Sequence, residues 1–251
     1  MDFLRLEGLK VGQRFQSRLI TLRRREVKRV LRQCMAYGGI SHWEDVVDMH
    51  LDESAYLPEW YRGLFLKAGM PRVKSVARDL SQAKAATDER YWEQELMRYA
   101  EERAGNNIVL VQGTLKDELI KVIRGVAELD TQIPIEKLAL KIYEGYKGVE
   151  LWQARRIAQT ETMIGLADAG ELAARSLGVR YDKQWVISGM GNTRETHENM
   201  DGEIVDMDDP FTIFDEFGNA VCQMMYPHDT SKGAPASEII NCACDVLHIP
   251  K

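Results

Sequence analysis

Residues 151–178 read LWQARRIAQTETMIGLADAGELAARSLG and form the clearest helix that the sequence predicts. The large apolar side chains of this segment recur near helical spacing, at Leu151, Ile157, Ile164, Leu166, Leu172 and Leu177. Small side chains between them allow close approach of another element, at Ala154, Ala158, Ala167, Ala169 and Ala173. Gly178 is a typical residue at which a helix ends. The segment therefore predicts a long helix that packs closely against its neighbours.

The residues before this segment predict one helix after another. Gln16 to Met35 has helical spacing without Pro or Gly, Gly38-Gly39 is expected to end that helix, and Ser41 is expected to cap the next. Pro58 suits the first turn of a third helix, and Pro134 the first turn of a later one.

Three glycine-containing segments divide the predicted helices. They are Gly69-Met70-Pro71, Gly105-Asn106-Asn107 and residues 145–148. Because Gly and Pro are unfavourable inside helices, we expect a helix to end near each of them. Thr114 with Asp117 resembles a capping box, so a new helix is expected to begin there.

The pattern changes after Gly178. Short β-prone pieces at Gln184–Ile187, Glu203–Val205 and Val221–Tyr226 are separated by Gly, Asn, Asp and Pro. We therefore predict an α+β fold. A mainly helical region over residues 1–149 is expected to precede a compact module over residues 150–251, with a small antiparallel sheet.

Composition limits the class of protein. With 45% apolar and 29% charged residues, the chain resembles soluble globular proteins. Its start lacks the features of a secretory signal, and no apolar run approaches the roughly 20 residues that span a bilayer. We therefore expect a protein that is made in the cytoplasm and has no membrane partner.

Charge is distributed unevenly along the chain. Residues 1–37 hold ten basic and three acidic side chains, whereas residues 195–216 hold nine acidic and no basic ones. The basic side chains concentrate in one predicted helix, at Arg23, Arg24, Arg25, Lys28, Arg29 and Arg32. They could follow the phosphates of a nucleic acid, pair with an acidic protein surface, or form a solvated helix face.

Four residues carry the donor types of a tetrahedral zinc site, namely His197, Cys222, Cys242 and Cys244. Two interpretations need no metal: the thiols could be buried in the core, and the histidine could hold the Asp201-Gly202 turn. If zinc is bound, three or four protein ligands without an activated water would make the site structural. Phosphate-loop, nucleophile-elbow and zinc-protease motifs are absent from the sequence, so we expect no catalytic residues.

Ordered motifs run through the second half of the chain. They are Arg156-Ile157-Ala158-Gln159-Thr160-Glu161-Thr162, Trp185, Thr193-Arg194, His197, Asp201-Gly202, Phe211, Gly218, Pro227 and Asn241-Cys242-Ala243-Cys244. In this order, the series resembles the phage Mu F-like head morphogenesis family, also described as minor head or minor capsid proteins. The resemblance implies structural roles for Arg156, Thr160, Glu161, Trp185, Arg194, Asp201, Gly202 and Asn241.

The resemblance implies a protein of the virion head, assembled in the cytoplasm of the host bacterium. Its expected role is non-catalytic, in capsid assembly at or near the portal vertex. The expected partners are the portal protein, the major capsid protein or a scaffolding protein.

Two other functions stay open at the level of sequence. The first is a DNA-binding internal head protein that handles the packaged or ejected genome through non-specific contacts to double-stranded DNA. The second is an enzyme, such as a hydrolase or a toxin-like transferase, because modules of this family can be joined to effector domains. Substitutions His197→Ala and Cys242→Ala would abolish turnover in such an enzyme, but would mainly lower thermal stability in an assembly protein.

Overall fold

Seven helices and five strands are present in the computed structural model, which describes residues 3–37, 42–80, 89–129, 134–187 and 193–251. Five helices precede the first strand: α1 (Phe3–Tyr37), α2 (Trp43–His50), α3 (Leu57–Leu80), α4 (Glu89–Leu129) and α5 (Ile135–Ser176). The remaining elements are β1 (Tyr181–Val186), α6 (Glu195–Glu198), β2 (Ile204–Asp206), β3 (Phe211–Phe214), β4 (Ala220–Met224), α7 (Ala236–Ile239) and β5 (Asp245–Pro250). The α+β class is thus confirmed. The helix end predicted at Gly38-Gly39 and the cap predicted at Ser41 lie outside the described residues.

The glycine segments do not end helices, so the predicted breaks were wrong. Helix α3 continues through Gly69 and Pro71, α4 through Gly105 and the supposed capping box at Thr114, and α5 through residues 145–148. At Gly69 the reason is close packing, because an added Cβ would lie 3.0 Å from Leu96 Cδ1 and 3.2 Å from the Ala169 Cβ. Tertiary packing of this kind outweighs the weak intrinsic preference of Gly against helix.

Two small antiparallel sheets follow the helices. One has the strand order β2-β1-β5, and the other is the hairpin β3-β4. Strand β1 buries alternate side chains, Tyr181, Lys183 and Trp185. Lys183 Nζ donates to the carbonyls of Asp209 (2.9 Å) and Met225 (2.7 Å), and burial lowers the pKa of this lysine. A lysine at the centre of the first sheet therefore satisfies carbonyls on both sides of the hairpin.

Packing divides the chain into two compact units. The first unit comprises residues 1–13, 62–100 and 156–251, and the second comprises residues 14–61 and 101–155. The boundary that the sequence suggests near residue 149 concerns the extent of the C-terminal module and stays a prediction.

The second unit is built from helices around an apolar core. Its buried side chains are Val27, Val30, Leu31, Cys34, Trp43, Val46, Val47, Leu51, Leu115, Leu119, Ile123, Ala139, Ile142 and Tyr146. An ion pair also lies in this interior: Arg23 donates to both carboxylate oxygens of Glu53, at 2.7 and 3.1 Å, and both side chains are fully buried. Arg23 is therefore a structural residue of the helical unit.

The first unit packs parts of its helices against β1. Its main cluster contains Val73, Val76, Ala77, Leu80, Trp92, Leu96, Ala169, Leu172, Ala173, Ala174 and Tyr181. Arg72 donates to Asp245 Oδ1 (3.0 Å) and to the Val246 carbonyl (2.8 Å), which ties α3 to β5. Among the described residues, no helix is long and apolar enough to cross a bilayer.

Candidate metal centre

Three of the predicted metal ligands meet in the interior of the first unit. His197 lies on α6, and Cys242 and Cys244 lie between α7 and β5. His197 Nδ1 is 3.4 Å from Cys242 Sγ and 3.5 Å from Cys244 Sγ, and the three donor atoms lie within 4.8 Å of one another. All three side chains are buried. The structure thus brings together residues that are 47 positions apart in the sequence.

The backbone before Cys242 is held by side chains of the family-like motifs. Asn241 has a positive φ of 60°, and its N–H donates to Thr160 Oγ1 on α5 at 3.1 Å. Arg194 donates to the carbonyl of Ile240. Asn tolerates the left-handed backbone region better than most residues, which explains its place beside the first cysteine.

The turn that follows His197 is held in the same way. Asp201 Oδ1 accepts the N–H of Ile187 at 3.0 Å, and the Gly202 N–H donates to the Trp185 carbonyl at 2.9 Å. Gly202 has a φ of +83°, a conformation that side-chain-bearing residues rarely adopt. These residues fix the geometry of the module around the cluster.

The other nitrogen of the His197 imidazole faces a carboxylate. Its Nε2 lies 3.1 Å from Glu238 Oε2, and that carboxylate also accepts a hydrogen bond from Thr196 Oγ1 at 3.0 Å. The ring packs edge-on against Trp185 at 5.3 Å between centroids. A carboxylate at one imidazole nitrogen and thiols at the other is the arrangement typical of a metal-binding histidine.

A second buried histidine, His228, borders the cluster, and sequence reasoning missed it. Its Nε2 lies 3.1 Å from the Cys244 carbonyl oxygen, and its Nδ1 has no well-formed hydrogen bond among the described residues. His228 also has a positive φ of 75°. The available signal in the sequence was its position directly after Pro227, one of the motif residues.

The thiols and histidines of this centre influence one another electrostatically. The pKa of Cys242 is lowered, first by a hydrogen bond from Cys244 and then, against the cost of burial, by His228 and His197. Burial lowers the pKa of His228, but the neighbouring charges, chiefly that of Cys242, outweigh burial and raise it above its usual value. Both shifts arise because these buried side chains lie close together.

Cys222 is not one of the residues that the structure brings together. It lies half-buried on β4, opposite Ile213 of β3. Burial and the nearby charge of Glu238 raise the pKa of the Cys222 thiol. Glu238 lies at the Nε2 side of His197, whereas the other two cysteines lie at the Nδ1 side.

Two further motif residues lie on α5 beside this module. Glu161 is buried and Arg156 is half-buried. Both side chains take part in interactions within the molecule.

The predicted basic surface on α1 divides into paired and exposed side chains. Arg23 is buried with Glu53, so the expectation that it contacts a partner is corrected. Arg24 donates to Glu150 at 2.7 Å, and Arg29 pairs with Glu26. The three exposed members share one helix face at spacings of three and four residues: Arg25, Lys28 and Arg32.

A cleft of about 560 Å³ also lies in the first unit. Its arginines are paired with carboxylates of the same wall, Arg98 with Glu95 at 2.7 Å and Arg175 with Glu171 at 2.6 Å. Tyr226 donates to Asp168 Oδ1 at 3.0 Å. Such mutual pairing is typical of a structural cleft, because its charged groups already have partners.

Comparison with known proteins adds three findings. A curated relative is the NAD(+)--arginine ADP-ribosyltransferase EFV of Enterococcus faecalis (strain ATCC 700802 / V583), which is 34% identical over 100 residues. The match covers 39% of this chain but only 19% of the length of that protein. No solved structure matches the chain. The family described as Phage Mu protein F like protein matches residues 109–247, more than half of the sequence, and the chain belongs to that family.

Proposed function

We propose that this protein acts without catalysis in capsid assembly, at or near the portal vertex of a tailed phage. Membership of the Mu F-like family indicates a phage head morphogenesis protein. The observation that carries the non-catalytic role is how the motif side chains are used. Thr160, Arg194 and Asp201 each hold backbone of the C-terminal module. The residues that this chain has in common with the family motifs therefore support the fold of the family.

The proposed partners are the portal protein, the major capsid protein or a scaffolding protein in the virion head. Helix α5 offers an anchor for such a partner, because Leu151 and Trp152 are 54% and 56% exposed in the second unit. Tryptophan is enriched among the residues that dominate protein interfaces.

Copurification from phage-infected cells tests this role. A tagged chain is expected to retain a head component, and Trp152→Ala is expected to weaken that association by about tenfold or more, as truncation of an interface anchor usually does. Met49→Ala, which removes a side chain 66% exposed on α2, is the matched control and should leave the association unchanged. Absence of every head component from the wild-type eluate would contradict the proposed role.

We propose DNA contact as the second candidate function, carried by the stripe of Arg25, Lys28 and Arg32. Three phosphate contacts predict that affinity falls by about 40-fold between 50 and 200 mM salt. A filter-binding assay measures this slope. The triple substitution to Gln should abolish retention. Absence of retention by the wild type at low salt would exclude this function.

The activity in the relative's name belongs to a protein of which this chain matches about a fifth. We infer that the shared segment is the phage-like module and not the transferase. Incubation with labelled NAD⁺ and an arginine-containing acceptor is expected to give no transfer, with the Enterococcus protein as positive control. Transfer that His197→Ala abolishes would overturn the non-catalytic role.

A further inference from the structure

His197, Cys242 and Cys244 form a centre whose donor atoms are already spaced for one metal ion. Zinc binds cysteine sulfur at about 2.3 Å and histidine nitrogen at about 2.0–2.1 Å, so tetrahedral angles place a nitrogen and a sulfur ligand about 3.5 Å apart. The two distances from His197 Nδ1 to the cysteine sulfurs are 3.4 and 3.5 Å. Three corners of a zinc tetrahedron are thus present.

We propose that His197, His228, Cys242 and Cys244 bind one zinc ion in a closed structural site. His228 takes the place that the sequence suggested for Cys222. Four protein ligands leave no open position for an activated water or a substrate, so the site contributes stability and not turnover. The proposal does not depend on the head-assembly role, which is tested by separate experiments.

The case for His228 as fourth ligand begins with its surroundings. The side chain is 98% buried, and its Nε2 lies 3.1 Å from the carbonyl oxygen of Cys244, one of the proposed ligands. Its Nδ1 is a buried polar atom without a well-formed hydrogen bond among the described residues. Such an atom costs free energy unless a partner satisfies it. Zinc is that partner in our proposal.

The backbone also indicates a constrained position. Among the described residues, the non-glycine residues with positive φ are His228 and Asn241, and both adjoin this centre. A histidine in this conformation is uncommon, and such strain persists where the surrounding structure requires it. His228 lies outside the group of three donors within 4.8 Å, so binding must draw its ring toward the metal.

One competing fourth ligand, Glu238, lies at the nitrogen of His197 that faces away from the cysteines. Glu238 is at Nε2, where it can accept the N–H of an imidazole that binds metal through Nδ1. Cys222 is half-buried and lies on β4 opposite Ile213, whereas His228 contacts the backbone of Cys244. Two thiolates also balance the charge of Zn²⁺, so a neutral fourth ligand gives a buried site without net charge.

The experiment begins with the zinc content of the purified full chain, measured by elemental mass spectrometry. X-ray absorption at the zinc edge then counts the sulfur and nitrogen ligands of the wild-type protein. One zinc per chain with two sulfur and two nitrogen ligands supports the proposal. Absence of zinc, a third sulfur, or a single nitrogen with a water ligand overturns it.

Two variants assign the fourth ligand. Zinc affinity is measured by competition with a chromophoric chelator for His228→Ala and for Cys222→Ser as the matched control. Loss of an outer-shell partner costs about 10–100-fold in metal affinity, so His228→Ala is expected to cost more than about 100-fold. Cys222→Ser should leave the affinity within about twofold of the wild type. The reverse pattern would show that Cys222 is the ligand. If His228→Ala does not fold, the wild-type ligand count still decides.

Discussion

The helical second unit and the strand-containing C-terminal module hold their chains together by different means. Among the residues that the structure describes, fourteen buried side chains of the second unit form a continuous core, and a fully buried Arg–Glu pair lies among its helices. The strands of the C-terminal module have only three to six residues each, and its interior includes histidines, cysteines and a lysine. Long helices can bury enough apolar area, whereas short strands depend on specific polar connections.

Removal of metal is expected to give the largest change in stability among the tests of this difference. If zinc is bound as proposed, a strong chelator should destabilise residues 193–251 and leave the helical second unit protected. Structural zinc contributes about 10–16 kcal/mol in zinc-finger peptides, so even part of this exceeds the effect of one side chain. Hydrogen exchange resolved by peptide measures both regions in one sample. Equal protection of residues 193–251 with and without chelator would show that a metal does not stabilise these residues.

The next test breaks the buried ion pair of the helical unit. Glu53→Ala leaves Arg23 charged and buried without its carboxylate partner, which is expected to cost about 3–5 kcal/mol in the free energy of unfolding. Denaturant unfolding followed by circular dichroism measures this loss.

Glu59→Ala is the matched control, because it removes a partner of Arg18 from a pair whose side chains are 49% and 75% exposed. That change should cost less than about 1 kcal/mol. Similar losses in the two variants would mean that the buried pair has no special role in the second unit.

A smaller test uses two helix glycines that respond in opposite directions. Gly69→Ala places a Cβ against Leu96 and Ala169 in the first unit, so we expect a loss of about 1–3 kcal/mol. Gly105→Ala in the second unit meets no atom within 4 Å and should stabilise by about 0.5–1 kcal/mol. Thermal unfolding measures both. A gain in stability from Gly69→Ala would show that the close helix contact is dispensable.

The smallest effect concerns pH. Glu171 on α5 lies 3.2 Å from His248 Nε2 and accepts a hydrogen bond from Tyr181 at 3.0 Å. Burial alone would raise the pKa of Glu171, but the hydrogen bond and charge of His248, with the charge of Arg175, lower it below its usual value of 4.5. Its carboxylate therefore stabilises the folded state above pH 4.5, and this contribution is lost as pH falls through the lowered pKa.

Glu171→Gln should accordingly lower the free energy of unfolding near neutral pH and have less effect in acid. Chemical unfolding of wild type and variant across this range gives the difference. A difference that does not change with pH would contradict the assignment.

The sequence predicted the kinds of element better than their limits. Apolar spacing correctly identified helices before residue 178, and β-prone pieces between turn-forming residues correctly identified short strands after it. The helix ends predicted at Gly69 and Gly105 were wrong because the preference of a glycine against helix is worth only about 1 kcal/mol. Helix packing contributes more than that. Strands β3 and β5 were not singled out, since four to six residues carry little periodic signal.

The candidate site was predicted in part, for a related reason. His197, Cys242 and Cys244 were grouped by donor chemistry, and the structure places their donor atoms together. The sequence did not predict that His228 borders this cluster, because contacts between residues far apart in the chain decide its position. The burial of Arg23 was missed for the same reason, since its partner Glu53 is 30 positions away.

The nested order of the two units has a consequence for synthesis on the ribosome. All residues of the second unit have been made once residue 155 is added, whereas the first unit needs Asp245, whose partner Arg72 is 173 positions earlier. At about 5–20 residues per second, the interval between these points lasts about 5–20 s. At the start of that interval the helical unit can fold before the strands and before Cys222, Cys242 and Cys244 have been made. The nascent protein can therefore present α1 and its basic face to a partner before its own last strand exists.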